Sequence, residues 1–232
     1  MVIAASIYST HRRGFLKTCA SGGSLVAASA GGLITSLPLR AQSVLTPDAA
    51  LAELMAGNKR FASGKGTAHQ EDLAILRERT VDKQEPFAAI LACADSRVPV
   101  EILFDQSIGH VFVARVAGNI VSAEIIASLE YGVAVLGTKA ILVLGHAGCG
   151  AVKAAIAGTD APGQISVLYS RLQPAVDKAG SNLEAATKAN AKMQSALLQK
   201  ASTVISGAIK GDKLKVSAGY YDFATGSVTL LT

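Results

Sequence analysis

Cysteine, proline and charge are all scarce in this chain of 232 residues, with three cysteines, six prolines and 17% charged residues. Three cysteines exclude a small fold stapled by disulfides. So low a charge content excludes a coiled coil, and the few prolines beside 22 glycines exclude collagen-like or low-complexity sequence. No repeat of solenoid period is visible. What is abundant is apolar: 50% of residues are hydrophobic, which rules out disorder and suffices for the core of one domain of ordinary size.

Acidic residues are missing altogether from residues 1–41, where Arg12, Arg13, Lys17 and Arg40 supply four of the five net positive charges. The rest of the chain holds 18 basic against 17 acidic residues, so nothing points to a nucleic-acid partner. His11-Arg12-Arg13-Gly14-Phe15-Leu16-Lys17 precedes an uncharged stretch from Thr18 to Leu39 and a small residue, Ala41. That arrangement resembles a twin-arginine export signal, a route that moves proteins already folded. Between Ala20 and Leu37, nine of eighteen positions are Gly, Ser or Thr, too polar for a stable membrane anchor. The expectation is a signal peptide over 1–41 and a mature domain over 42–232, exported to a periplasm or a lumen.

Thr46-Pro47-Asp48 is a helix start, with an N-cap hydroxyl, proline at the first helical position and an acid in the first turn. Leu51, Leu54, Met55 and Phe61 follow at helical spacing, and a shorter helix is expected over about 71–79. Because both precede any strand, residues 42–79 read as an N-terminal arm outside the core layers. Continuous apolar runs at 87–92, 111–114 and 140–144 suit buried strands of a parallel sheet. Residues 123–136 have helical spacing between the second and third runs, as a crossover requires. Helices are expected at about 165–179, bent or split by Pro174, and at 182–206. Thr225-Gly226 sits between two short strand patterns, which predicts a terminal hairpin. The fold class is α/β: a single domain with a mainly parallel sheet flanked by helices, a helical arm in front and a hairpin behind.

Cys93 directly follows the first run, and His146 and Cys149 follow the third. All three therefore fall past the carboxyl ends of strands, where open α/β sheets bind ligands. Two thiolates and an imidazole favour zinc, and three protein ligands leave the fourth position that a catalytic site needs. The same cysteines could instead form a disulfide, or one could act as a nucleophile with His146 as base. The neighbouring acid and histidine, and the absence of a Cys-x5-Arg loop, weigh against both. Asp95, two residues after Cys93, can close the site as a fourth ligand. Alternatively, a bidentate bond from Arg97 can draw it off the metal, leaving it to orient a water. Two thiolates cancel the charge of zinc, so activity is expected to rise toward alkaline pH.

Several strings together resemble the β-class carbonic anhydrases: Cys93-Ala94-Asp95-Ser96-Arg97-Val98-Pro99, Phe112-Val113 with Arg115, Ala117-Gly118-Asn119, Ser128-Leu129-Glu130-Tyr131, and 145–152 around His146 and Cys149. The resemblance runs from about Thr46 to the hairpin. It implies reversible hydration of carbon dioxide to bicarbonate by water activated on one zinc per subunit, with Cys93, His146 and Cys149 as ligands and Asp95 and Arg97 governing that water. It further implies substrate contacts from Gln84 and the Gly150 N–H, an apolar wall including Phe112 and Tyr131, and a homodimer or larger assembly joined by the arm. Relatives of the same fold that hydrolyse carbonyl sulfide or carbon disulfide, and a non-catalytic zinc or bicarbonate binder, are the alternatives. His110 and Val116 replace an acid and an asparagine common in the family, and neither is a proposed ligand.

Overall fold

A computed structural model describes residues 44–68, 78, 80–158 and 160–231. The first helix, α1 (Pro47–Ala62), begins as its sequence dictates: Thr46 is extended, and its hydroxyl accepts the Ala49 N–H at 3.2 Å. Lys59 and Arg60 lie in the last turn, where cations complement the helix dipole. The helix does not stand outside the core. Its buried stripe of Ala50, Leu51 and Leu54 belongs to the same apolar cluster as Ile90, Leu142 and Leu144 of the sheet. The expectation of an arm apart from the core layers is thus corrected for α1, because three apolar residues at helical spacing cover the sheet as well as they would cover a partner. Contact is close enough that a Cβ on Gly57 would fall 1.8 Å from Phe104 O, so only glycine fits there. The second arm helix, expected over 71–79, lies almost wholly outside the described residues.

Five strands form one sheet: β1 (Ala88–Ala92), β2 (Val111–Arg115), β3 (Ala140–His146), β4 (Lys215–Tyr221) and β5 (Val228–Leu231), in the order β2-β1-β3-β4-β5. The first four run parallel, and β5 closes the expected hairpin antiparallel to β4. Every residue of β1 and β3 is buried. Alternation assigns their side chains to opposite faces. Ala88, Ile90 and Ala92 join the cluster under α1, whereas Ala89 and Leu91 join Leu129, Leu198 and Ile205 on the other side. Burying each such Leu or Ile contributes about 1.5–3 kcal/mol, which makes the central pair the most stable part of the sheet.

Short α2 (Val100–Leu103) and the crossover helix α3 (Ala123–Ala134) lie between the strands, and α4 (Gly150–Ala157) follows β3. Neither α2 nor α4 was anticipated from the sequence. Helix α5 (Ser166–Ala179) carries Pro174 within it without a break. The segment expected as one helix over 182–206 is two, α6 (Leu183–Ala201) and α7 (Thr203–Lys210). Ser202 divides them by adopting extended backbone and capping α7: its hydroxyl accepts the Ile205 N–H at 3.0 Å and donates to Glu130 Oε1 at 2.6 Å.

Candidate metal centre

Register explains why the three presumed ligands meet. Ala92 is paired with Leu144 on the adjacent strand, so Cys93, the residue after β1, and His146, the last of β3, emerge side by side. Cys149 follows on the turn His146-Ala147-Gly148-Cys149, where Gly148 takes φ +61°, a left-handed value that glycine adopts without strain. The two sulfurs and the imidazole nitrogen lie within 4.8 Å of one another, and all three residues are buried. Both cysteines are free thiols.

His146 shows how this cluster fits a cation. Its Nδ1 lies 2.9 Å from Ala147 O, and because a carbonyl can only accept, Nδ1 carries the proton. Nε2 is therefore left with a lone pair, fully buried and without a hydrogen-bond partner. An orphaned imidazole nitrogen beside two buried sulfurs is costly in an apolar interior and is satisfied by a metal ion of borderline softness. Cys93, His146 and Cys149 could thus hold a metal ion, and their donor set suits zinc.

The surroundings favour one thiolate, on Cys93. Cys93 Sγ accepts the Gly118 N–H at 3.3 Å. Cys149 occupies the N-cap position of α4 without a side-chain capping bond, and the bond to Cys93 and burial, which raise its pKa, outweigh the lowering by the N–H groups of Val152 and Ala151. The two thiols titrate as a pair. Donation from Cys149 brings Cys93 well below the ordinary thiol range, while that same bond, then burial and the Cys93 charge, hold the second proton on Cys149 above it.

Asp95 stands at the edge of the site, with Oδ2 3.9 Å from His146 Nε2. Arg97 holds both its oxygens, through Nε to Oδ1 at 3.0 Å and Nη2 to Oδ2 at 2.7 Å, and the Arg97 backbone N–H adds a third bond at 3.0 Å. The guanidinium, foremost, keeps the carboxyl well below its usual range. Of the two arrangements open to Asp95, this conformation is the one paired with arginine.

Two residues beyond the expected set shape the same loop. Arg115, at the end of β2, donates Nε to Cys93 O at 2.9 Å and Nη2 to Asp95 O, so it fastens the backbone that carries both a ligand and the acid. Its place after an apolar strand was the available signal. Phe223, from the β4–β5 turn, lies beneath the Arg97 guanidinium and against the His146 ring, a contact that no local pattern announces. Buried Asn190 of α6 donates to Gly118 O at 2.8 Å and is itself bonded by Gln194 Nε2 at 3.1 Å. Gln194 also accepts the Val121 N–H at 2.8 Å.

The other expected residues are placed less centrally. Gly150 opens α4 directly after Cys149 and is exposed. Gln84 is exposed in the stretch before β1. Phe112 of β2 and Tyr131 of α3 meet each other, with ring centroids 6.3 Å apart. Among the described residues, neither a hydrogen bond nor a ring contact joins Gln84, Phe112 or Tyr131 to the three ligands. Phe112 pairs with Ala89, well before the carboxyl end of β1.

A mainly parallel α/β sheet that offers two sulfurs and an imidazole at adjacent strand ends, with an acid beside them, defines a zinc protein with a site of the catalytic type. A carbonic anhydrase family model matches residues 88–228. Carbonic anhydrase 2 of Mycobacterium tuberculosis is 36% identical over 192 residues, covering 79% of this chain and 92% of that protein. The Mycolicibacterium smegmatis carbonic anhydrase is 35% identical over the same length, covering 79% and 93%. Among solved structures, the Coccomyxa β-carbonic anhydrase superposes with a TM-score of 0.61 at 29% identity, over 78% of this chain and 86% of that one. A β-carbonic anhydrase of Aspergillus fumigatus shares the fold, with a TM-score of 0.64 at 24% identity, covering 78% and 90%. The chain belongs to the β-class carbonic anhydrase family, whose members use zinc.

Proposed function

We propose that this protein is a zinc-dependent carbonic anhydrase interconverting carbon dioxide and bicarbonate, with Cys93, His146 and Cys149 holding the ion. The observation that carries the reading is the buried trio within 4.8 Å, flanked by a carboxylate already paired with arginine. When bound, zinc supplies a Lewis acid that makes water nucleophilic at moderate pH. The protein's own part is orientation. Asp95 Oδ2 takes one guanidinium N–H and keeps a second lone pair toward the site, able to accept a proton-bearing group of the reactant. Arg97 keeps that acid ionised and aimed, which supports a catalytic site over a passive zinc or bicarbonate store. The exposed Gly150 N–H, at the positive end of α4, suits an oxygen of bicarbonate.

Gln84, Phe112 and Tyr131 belong in the proposal as substrate-facing residues of a pocket that a second copy of the chain completes. The exposure of Gln84 and the 44% exposure of Tyr131 support this, since a carbon dioxide site needs apolar cover. Two Sordaria macrospora β-carbonic anhydrases of this fold are tetrameric. Residues 42–79 are the proposed dimerisation arm of a mature domain over 42–232. Residues 1–41, outside the described part, are the proposed twin-arginine export signal, supported by their acid-free composition and Arg12-Arg13 pair. Among the described residues, no helix is long and apolar enough to cross a membrane.

Hydration of carbon dioxide followed with a pH indicator, before and after zinc is stripped by a chelator, tests the activity. Chelator-sensitive acceleration is expected, and a zinc-loaded protein inactive at every pH overturns the reading. Expression of the full chain followed by cell fractionation tests export, with retention of all the protein in the cytoplasm as the contrary result.

A further inference from the structure

Phe223 belongs to none of the strings that mark the family, yet it occupies the junction between the metal ligands and the acid–arginine pair. It lies in the turn between β4 and β5, and its ring is only partly buried, packed against the cluster that includes Tyr221. The Arg97 guanidinium carbon sits over this ring, 4.5 Å from the centroid. The His146 ring is 5.4 Å away, centroid to centroid, inclined by 36°. Tyr221 meets it edge-on at 5.1 Å and 86°, which fixes its tilt from behind.

Arg97 needs such a support. Its side chain is 57% exposed, and apart from Asp95 its other hydrogen bond is a long one, 3.4 Å to Gly148 O. Arg97 is the exposed partner of its pair with Asp95, and an exposed side chain held in one geometry loses entropy, a cost that a further contact helps to offset. A cation over an aromatic face within about 6 Å gains roughly 0.5–2 kcal/mol, and a planar guanidinium also stacks.

We propose that Phe223 is a positioning residue for the reaction: its ring holds the Arg97 guanidinium in the plane that grips Asp95, and shields the His146 ring beside it. Asp95 is thereby kept at the edge of the metal site by a platform from the far end of the chain. This inference rests on the carbonic anhydrase reading above, since the arginine's orientation matters only if Asp95 works on the reactant.

The test compares Phe223→Leu, which keeps apolar volume but removes the ring, with Phe223→Tyr, which keeps the ring. Zinc content, melting temperature and kcat/KM are measured on the zinc-loaded protein. In the zinc-free protein, NMR reports the Arg97 Nε–H proton, which an aromatic face shifts upfield. In Phe223→Leu we expect full zinc content, loss of that upfield shift and a fall in kcat/KM of about 2- to 30-fold, the range such a contact carries. Phe223→Tyr should restore both the shift and the rate. A Leu variant as active as the parent overturns the inference, and so does a Tyr variant as impaired as Leu. If Leu fails to fold, the Tyr variant still decides: a parent-like shift with a parent-like rate supports the platform, and a lost shift with an unchanged rate refutes it. An inactive but zinc-loaded parent defeats the underlying reading instead, a separate result.

Discussion

Asn190 donates its side-chain amide to Gly118 O at 2.8 Å, and the N–H of that same glycine donates to Cys93 Sγ. A buried residue of α6 therefore governs how the backbone presents a donor to a presumed zinc ligand. Removing the amide in Asn190→Ala strands Gly118 O in a dry interior and leaves the Gln194 Nε2 only its longer bond to Arg171 O at 3.3 Å, at a cost of about 1–3 kcal/mol. Outer partners of metal ligands typically account for 10- to 100-fold in affinity, so zinc affinity measured by chelator competition should fall by about that factor. Unchanged affinity with lowered melting temperature would limit the network to scaffolding.

Cys149→Ala should lose zinc and activity together. The side chain is fully buried and supplies one of three ligands, and two ligands do not hold the ion against solvent. Elemental analysis of the purified variant checks this, and stoichiometric zinc there would contradict the ligand assignment.

Asp95→Asn should keep its zinc and turn over more slowly by about 100-fold, the lower end of what a positioned acid or base contributes. Because Arg97 pushes the Asp95 pKa down, the carboxylate is charged throughout the pH range of an activity assay. Rates of the parent measured between pH 6 and 9 should therefore show no titration assignable to Asp95, and the variant should keep the parent's profile shape at a lower level. A change of shape on substitution would refute that.

Asp105 offers a test away from the site. Burial opposes its charge, but the Arg60 side chain and the N–H groups of Ala68 and Thr67 outweigh burial and lower its pKa from 3.8. A depressed carboxyl stabilises the fold fully above its unfolded value, and the contribution disappears as pH falls through the folded value. Asp105→Asn should accordingly cost about 1–3 kcal/mol near neutrality. Its melting temperature should approach that of the parent as the pH drops below about 4, the unfolded carboxyl range. A gap that widens in acid would reverse the sign of this argument.

The sequence exposed those features whose cause is local. Runs such as Ala88–Ala92 and Ala140–His146 read as strands because both faces are buried, and the ligands were legible because Cys93 directly follows the first run, His146 ends the second and Cys149 lies three residues beyond it. Thr46-Pro47-Asp48 announced α1, since capping is settled within one turn. The division at Ser202 was only half legible: its capping bond to Ile205 is local, but its bond to Glu130 crosses 72 positions. Likewise, α1 looked like a free arm because nothing near Leu54 says that Ile90 and Leu142 will be beneath it. Phe223 and Arg115 act at the site through tertiary neighbours, which periodicity does not encode.

Adjacent strands in the sheet, β1 and β3, are separated along the chain by β2 and α3, so the zinc donors come together only when that intervening unit is in place. During synthesis, a nascent polypeptide that has emerged only as far as β2 carries one of the three proposed ligands, Cys93, and no chelating pocket. Metal loading should therefore follow completion of the β1–β3 pairing rather than precede it.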